Sequence, residues 1–154
     1  MNRLLLIVHN TVEQDYFRYY NDLIEEQFIK RGIIVDKVDM TESEDKWECY
    51  AGRILQGYYD AALVLNSWGE QRITLGSGGN LFDKGRLPFY NWIMDHPAEH
   101  NGHMTDCCDD YNVICIDRDH IRFLLDYYPG IKSASFLPLP VRKPDQLEYT
   151  FEQY

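Results

Sequence analysis

Continuous apolar runs alternate with amphipathic stretches through the first part of the chain. Residues 3–9 (RLLLIVH) form an apolar run that ends in polar residues, which is typical of a strand buried in a parallel sheet. From residue 12 to about residue 31, apolar side chains recur at helical spacing, and Thr11 and Gly32 are suited to cap and end a helix. The pattern therefore predicts a strand followed by an amphipathic helix.

The same alternation continues to residue 65. A second strand is predicted at residues 33–38, which are rich in β-branched side chains. A helix capped by Thr41 or Ser43 is predicted to run to about residue 56, before Gly57, and residues 59–65 (YDAALVL) form a third apolar run. A β-α-β-α-β order with short connections favours a parallel sheet with right-handed crossovers.

The rest of the chain is less regular, but it predicts further strands. Residues 66–86 are polar and rich in glycine, which predicts a long loop with a short helix near residues 80–84. Strands are predicted at residues 87–94 (LPFYNWIM), at residues 111–116 (YNVICI) and within residues 132–139. A helix capped by Asp117 or Asp119 is predicted to run to about Tyr128, before the last of these strands.

These elements together predict an α/β fold of the Rossmann-like, doubly wound kind. We expect a mainly parallel sheet of about six strands, with helices on both faces. The predicted domain covers residues 1–140, and the chain length of 154 residues suits one domain. The polar, acidic residues 141–154 are predicted to form a tail or an interdomain linker.

The charge balance argues against two classes of partner. The chain has 15 Lys and Arg against 25 Asp and Glu, a formal net charge of −10, and no basic run, so we expect it to bind neither nucleic acid nor an anionic membrane. No segment approaches the ~20 apolar residues of a membrane span, and residues 1–9 lack a signal-peptide cleavage site. The four cysteines form no CxxC pair, so reduced thiols and a cytoplasmic location are expected.

Polar residues that follow the predicted strands are candidates for binding a substrate, because open α/β sheets bind ligands beyond the carboxyl ends of their strands. The candidates are His9 and Asn10 after the first strand, Asn66, Ser67, Trp68 and Gly69 after the third, and Asp117 and Arg118 after the fifth. The predicted fold brings these positions to one edge of the sheet.

Asp95, His96 and Pro97 follow the fourth predicted strand and are the candidates for catalysis. A carboxylate beside an imidazole can act as a general base or can orient one. The alternative interpretation is structural, with Asp95 capping a helix whose first turn contains Pro97. Both interpretations remain open at the level of the sequence.

The polar stretch 95–110 also contains possible metal ligands, which are His96, His100, His103, Cys107 and Cys108. Their spacing matches no known zinc pattern, and a helix there is expected to break at Asn101-Gly102, so no metal site is predicted. Residues 76–80 (GSGGN) could cradle a phosphate, but they match neither a dinucleotide fingerprint nor a P-loop, which favours an ordinary loop.

Three short segments resemble a known family. They are residues 87–97 (LPFYNWIMDHP), 113–117 (VICID) and 136–140 (FLPLP). Their layout is similar to the N-terminal domain of the spore-maturation CgeB-like (DUF3880) glycosyltransferases. That family has a similar aromatic strand followed by Asp-x-Pro, a strand that ends in Asp, and a Leu-Pro ending before its interdomain linker. The resemblance covers roughly residues 60–142.

The resemblance implies a GT-B architecture, in which two Rossmann-like domains face each other across a cleft. It implies that this chain is the acceptor-binding half, with Asp95 or His96 as the base that deprotonates a small-molecule or glycan acceptor. A nucleotide sugar would be the donor, no cofactor would be tightly bound, and sugar transfer would require a C-terminal domain. The 154-residue chain alone is therefore expected to be inactive.

A second hypothesis is a non-catalytic, flavodoxin-like module that binds a small ligand or regulates a partner. Its size fits, and Trp68 or tyrosine side chains could stack on a flavin. A phosphate-receiver domain is disfavoured, because His9-Asn10 and Asn66-Ser67 stand where its acidic residues belong. A metal hydrolase that uses the His and Cys residues of the 95–110 stretch is a third, weaker hypothesis.

Overall fold

The computed structural model describes residues 1–9, 15–41, 44–67, 75–76 and 78–141. Its strands are β1 (Arg3–Val8), β2 (Ile34–Asp39), β3 (Ala61–Leu65), β4 (Phe89–Ile93), β5 (Tyr111–Cys115) and β6 (Ser133–Phe136). Its helices are α1 (Asp15–Lys30), α2 (Glu44–Leu55), α3 (Leu81–Gly85), α4 (Asn101–Thr105) and α5 (Asp119–Tyr127), and a 3₁₀ helix, Pro97–His100, precedes α4. Within the described ranges, six strands form one sheet in which all neighbouring pairs are parallel.

The sheet order is β2-β1-β3-β4-β5-β6, which confirms the predicted α/β, doubly wound class. From β1 the chain moves to one side to form β2, and from β3 onward each strand adds to the other side. The first five strands have the flavodoxin-like arrangement of this fold class, and the order reverses between β1 and β3. The crevice expected to bind a ligand therefore lies beyond the carboxyl ends of β1 and β3.

Two hydrophobic clusters lie on opposite faces of the sheet, because successive side chains of a strand point to opposite sides. On one face, which we call the four-helix face, Ile7 and Phe89 belong to a cluster with residues of α2, α3, α4 and α5. On the other, the α1 face, Leu6, Leu63 and Trp92 pack against α1, which is the only one of the described helices in this cluster. Helices thus cover both faces, but unequally.

Short local features end and begin the helices largely as predicted. Gly32 (φ 78°) follows α1 and Gly57 (φ 68°) lies just beyond α2, and both adopt the left-handed conformation that suits glycine. The short helix expected near residues 80–84 is α3. Asn80 caps it, because its side-chain oxygen accepts a hydrogen bond from the Phe82 amide at 2.8 Å.

One predicted helix break is wrong. Asn101 and Gly102 form the first turn of α4, and the irregular residue is His100 (φ −104°, ψ 17°), where the 3₁₀ helix passes into the α-helix. A glycine costs only ~1 kcal/mol in a helix, and burial of Met104 in the core offsets such a cost.

Further predictions concern the helix caps, the C-terminal residues, the cysteines and the absence of a membrane span. The hydroxyl of Thr41, one of the two predicted caps of α2, donates a hydrogen bond to Asp39 Oδ1 at 2.8 Å, and α2 begins at Glu44. Thr11, Ser43 and residues 142–154 lie outside the described residues. The four cysteines are all described, and all are free thiols. No helix in the described part of the chain is long and apolar enough to cross a membrane.

Candidate functional site

The carboxyl ends of the parallel strands meet at one edge of the sheet and bring the predicted site residues to that edge. His9 directly follows β1, and Asn66 and Ser67 directly follow β3, on either side of the point where the strand order reverses. Asp95 comes after β4 and Asp117 after β5, farther along the same edge. Ligand contacts are also predicted for Asn10, Trp68 and Gly69, which lie outside the described residues.

Asn66 links the ends of β3 and β4. Its backbone amide donates a hydrogen bond to the Trp92 carbonyl at 2.8 Å, and its side-chain Oδ1 accepts one from the Met94 amide at 2.9 Å. Its Nδ2 donates to Asp95 Oδ2 at 2.8 Å. Since Asn66 is only 5% exposed, these bonds form a protected extension of the β3–β4 pairing, and they fix the Asp95 carboxylate to it.

Asn91 forms a second polar link, inside the sheet itself. It lies in β4 with no exposed surface, and its Oδ1 accepts a hydrogen bond from the Ser67 amide at 2.9 Å. Its Nδ2 donates to Ser67 Oγ at 2.7 Å and to the Tyr111 hydroxyl at 2.8 Å. Burial is the main reason why the pKa of Tyr111 is raised, so this phenol stays protonated. The amide of Asn91 thus ties the end of β3 to β4 and β5.

The turn after β3 is strained and is held by these two links. Asn66 (φ 53°) and Ser67 (φ 59°) are consecutive non-glycine residues in the left-handed region. This conformation costs about 1–2 kcal/mol for most side chains, although asparagine tolerates it better. The bonds to Met94, Asp95 and Asn91 offset that cost. Strained backbone of this kind is often found at functional sites, where it places groups in advance of binding.

Asp95 presents a carboxylate that is anchored on one side and exposed on the other. Oδ2 is held by Asn66, while Oδ1 accepts no hydrogen bond from any residue that the structure describes. Desolvation is the main reason why the pKa of Tyr16, a half-exposed residue of α1, is raised, and the negative charge of Asp95 adds to this effect. The arrangement can accept a hydrogen bond or a proton from a bound hydroxyl group.

His100 is the last residue of the 3₁₀ helix that follows Asp95. Its side chain is only 6% exposed, and Nε2 has no hydrogen-bond partner among the described atoms. Burial lowers the pKa of His100, and the negative charge of Asp95 opposes this effect only in part. The imidazole is therefore neutral near pH 7 and adds no positive charge to the site.

His96, the other residue predicted as a base, has a structural contact. Its Nδ1 accepts a hydrogen bond from the Ala98 amide at 3.2 Å and so caps the 3₁₀ helix. Its ring lies with its centroid 4.8 Å from that of His120 and 4.8 Å from that of Phe123, on the side of α5. The structural alternative, a helix cap at Asp95, is therefore wrong, because the cap is His96. Pro97 occupies the first helical position, which makes His96 the cap and leaves Asp95 to bind Asn66.

Asp117 and Arg118, which follow β5, contact the start of α5 and the end of β6. Asp117 is exposed, and its Oδ1 accepts a hydrogen bond from the Asp119 amide at 2.9 Å, so it caps α5 as predicted. The Arg118 guanidinium lies 4.7 Å from the centre of the Phe136 ring in β6. Neither side chain joins the network that contains Asn66, Asn91 and Asp95.

The possible metal ligands of the 95–110 stretch do not form a cluster. Within the described ranges, no three His, Cys, Asp or Glu side chains are placed to share a metal ion. Burial raises the pKa of Cys107, and raises that of Cys108 to about 12, so both side chains are thiols rather than the thiolates that bind metals.

Asn91, Tyr111 and Tyr16 are site residues that the sequence analysis did not select. Asn91 could have been found, because a polar amide within the apolar run 87–94 needs a buried partner. Tyr111 and Tyr16 carry no comparable sequence signal, since tyrosines in strands and helices usually serve packing.

Comparison of the whole chain with family models, with curated proteins and with solved structures finds no match. The resemblance to CgeB-like glycosyltransferases, which depends on residues 87–97, 113–117 and 136–140, therefore stays a prediction. The case for a function depends on the geometry around Asp95.

Proposed function

We propose that the edge of the sheet around Asp95 binds a molecule through its hydroxyl group, and that it does so as the acceptor-binding half of a GT-B-like glycosyltransferase. The observation that carries the proposal is the Asp95 carboxylate, which is exposed after β4 and held on one oxygen by Asn66 at 2.8 Å. A fixed and solvent-accessible carboxylate beyond the carboxyl ends of parallel strands is where this fold class presents groups to ligands.

The chemistry of the surroundings suits a neutral acceptor. Asn66 binds Asp95 through its amide, while Tyr16 and His100 are the groups whose pKa values respond to the charge of Asp95. Burial lowers the pKa of His100, so none of these three partners carries a positive charge near pH 7. A phosphate group in contact with Asp95 would meet a like charge with no cation among these partners, which is unfavourable. A sugar hydroxyl instead gains a charge-assisted hydrogen bond to the carboxylate.

In the proposed transfer, Asp95 acts as the general base. The acceptor hydroxyl oxygen attacks the anomeric carbon of the nucleotide sugar while Asp95 Oδ1 takes the hydroxyl proton. The bond between that carbon and the diphosphate breaks, and the nucleoside diphosphate leaves with the bonding electron pair. Asn66 keeps the carboxylate oriented, since its Nδ2 donates to Oδ2, and a C-terminal domain would hold the donor.

A flavodoxin-like binding module is the second candidate, and the strand order supports it. The order β2-β1-β3-β4-β5 is the one found in flavin-binding folds of this class, where the flavin sits at the β1/β3 switch point. Titration of the purified chain with flavin mononucleotide, monitored by quenching of flavin fluorescence, separates the two candidates. Tight flavin binding would replace the first proposal with the second.

The proposal is tested with a panel of methyl glycosides as probes, using the chain and two variants in NMR titrations. Asp95→Asn removes the charge at the site, and Asp117→Asn is the matched control at the same edge. Loss of one charge-assisted hydrogen bond is worth about 1.5–3 kcal/mol, so Asp95→Asn should weaken binding about tenfold or more. Asp117→Asn should bind like the parent chain. Equal weakening in both variants, or no binding of any glycoside by the parent chain, would overturn the proposal.

A further inference from the structure

The α1 face contains an apolar groove that the described helices leave uncovered. Two cavities of about 440 Å³ each share Phe28 of α1, Trp92 of β4 and Leu137 as lining residues, so they adjoin. Ile24 adds to the helical wall, and Ile114 of β5 adds to the floor. The groove thus runs between α1 and the half of the sheet that α1 does not reach.

The topology explains why this groove exists. The connections from β2 onward place α2, α3, α4 and α5 on the four-helix face, which leaves α1 as the cover of the opposite face among the described helices. Parallel sheets are normally buried on both faces. On the α1 face, however, Tyr90 and Ile114 are only half-buried. An element that packs beside α1 would complete the layer.

The chain itself enters this groove after β6. The Trp92 indole Nε1 donates a hydrogen bond to the Leu137 carbonyl at 3.0 Å, and Leu139 packs against the cluster of the α1 face. Pro140 and Val141 line the groove, and Val141 is still 79% exposed there. The proline fixes its own φ and holds the chain extended along the groove. The described part of the chain therefore ends at the groove.

We propose that residues 142–154 occupy this groove and form the missing cover of the α1 face. Leu147, Phe151 and Tyr154 recur at i, i+4 and i+7, the spacing of one apolar helix face. Six residues span up to ~20 Å, so a side chain at position 147 can reach across the groove from Val141. After the basic pair at positions 142 and 143, the segment is acidic at positions 145, 148 and 152, and Arg31 lines the groove as a cation for these carboxylates to pair with.

The inference does not depend on the proposed function, because the groove lies on a face of the sheet and the candidate site lies at its carboxyl edge. It assigns residues 142–154 to the domain, where the sequence alone predicts a tail or an interdomain linker. Two outcomes compete with this proposal. Residues 142–154 could be a free linker, or a second copy of the chain could occupy the groove.

Hydrogen–deuterium exchange of the full chain tests the proposal, with the Trp92 indole NMR signal as a second readout. We expect the amides of residues 147–154 to exchange at least about tenfold more slowly than in an unstructured peptide, since docked amides exchange only on local opening. Phe151→Asp should abolish this protection and shift the Trp92 indole signal. Tyr149→Asp is the matched control, because position 149 lies off the apolar face and should leave both readouts unchanged.

Three results would overturn the proposal. Residues 142–154 could exchange at peptide rates, as a free linker does. The Tyr149→Asp and Phe151→Asp variants could lose protection equally, which would exclude docking through one helix face. Protection could also appear only as the protein concentration rises, which would assign the groove to a second copy. A variant that ends at Val141 adds one more check, since it should bind a hydrophobic dye that the full chain does not bind.

Discussion

The ends of β3 and β4 differ from the end of β5, although all three present polar residues at the same edge of the sheet. At the first, the bonds of Asn66 and Asn91 join positions 20 to 29 residues apart and fix an exposed carboxylate. At the second, Asp117 bonds an amide two residues away, and Arg118 lies over a neighbouring ring. A polar residue that directly follows a strand therefore does not by itself form a ligand-binding site. The chain must also hold the side chain in place through contacts with distant residues.

The largest expected effect comes from Asn91→Leu. This change leaves the Tyr111 hydroxyl buried without a partner and the Ser67 amide unpaired, and it should cost about 3 kcal/mol of the free energy of unfolding. Urea denaturation measures the loss. Tyr111→Phe is the control, because it removes one hydroxyl and keeps the ring, and it should cost about 1 kcal/mol. If the two variants were equally stable, the polar link would contribute little to the end of β3.

Asn66→Ala should cost about 2 kcal/mol, because it removes the bonds to the Met94 amide and to Asp95 and places a methyl group at φ 53°. Asn66→Gly loses the same bonds but relaxes the backbone, so it should be about 1 kcal/mol more stable than Asn66→Ala. Thermal or urea unfolding of the pair separates strain from hydrogen bonding. Identical stability of the two variants would show that the turn carries no strain.

The next largest effect is a change in the free energy of unfolding of a His100 variant that appears only at acidic pH. Burial lowers the pKa of His100, so below pH ~6.5 the unfolded chain binds a proton that the folded protein resists. The contribution of His100 to stability is full above that pH and is lost as the pH falls toward the folded-state pKa. His100→Gln should flatten this part of the stability–pH profile, while His96→Gln, at an exposed position, should keep it. An unchanged profile in His100→Gln would mean that the imidazole is not buried in a neutral state.

The smallest effects are expected at the end of β5. Asp117→Ala removes a capping bond and should cost about 1 kcal/mol, while Arg118→Ala removes an exposed cation–π contact worth about 0.5 kcal/mol. Urea denaturation of both variants, next to Asn66→Ala, provides the comparison. A loss at Arg118 as large as that at Asn66 would remove the distinction between the two regions.

The fold was largely predictable because each strand can be recognised from its own short segment of the sequence. Residues 4–8 and 61–65 are apolar throughout, as is typical of a parallel sheet, and Gly32 and Gly57 mark the ends of helices. The order of the strands was not predictable in the same way. Whether β2 lies beside β1 on the side away from β3 depends on how helices pack across the sheet, and that is not encoded in any one segment.

The site was predictable only to the level of strand ends. The rule for open α/β sheets selected Ser67 and Asp95, and also Asp117, which turned out to cap a helix. It did not select Asn91, which lies within β4 and not at its end. The apolar run around Asn91 indicates a buried amide, but its partners lie 20 and 24 residues away in the chain and are not evident from that run. It also could not decide whether Asp95 or His96 is the helix cap, since a shift of one residue in the start of the 3₁₀ helix decides between them.

The most direct test of the central claim is the NMR signal of the Asp95 carboxyl carbon during addition of a methyl glycoside, read against that of Asp117. If Asp95 binds a hydroxyl group of the glycoside, the Asp95 signal and the Asn66 side-chain amide signal should move together to saturation, while the Asp117 signal stays in place. Movement of Asp117 with an unchanged Asp95, or no movement of either at any glycoside concentration, would contradict it.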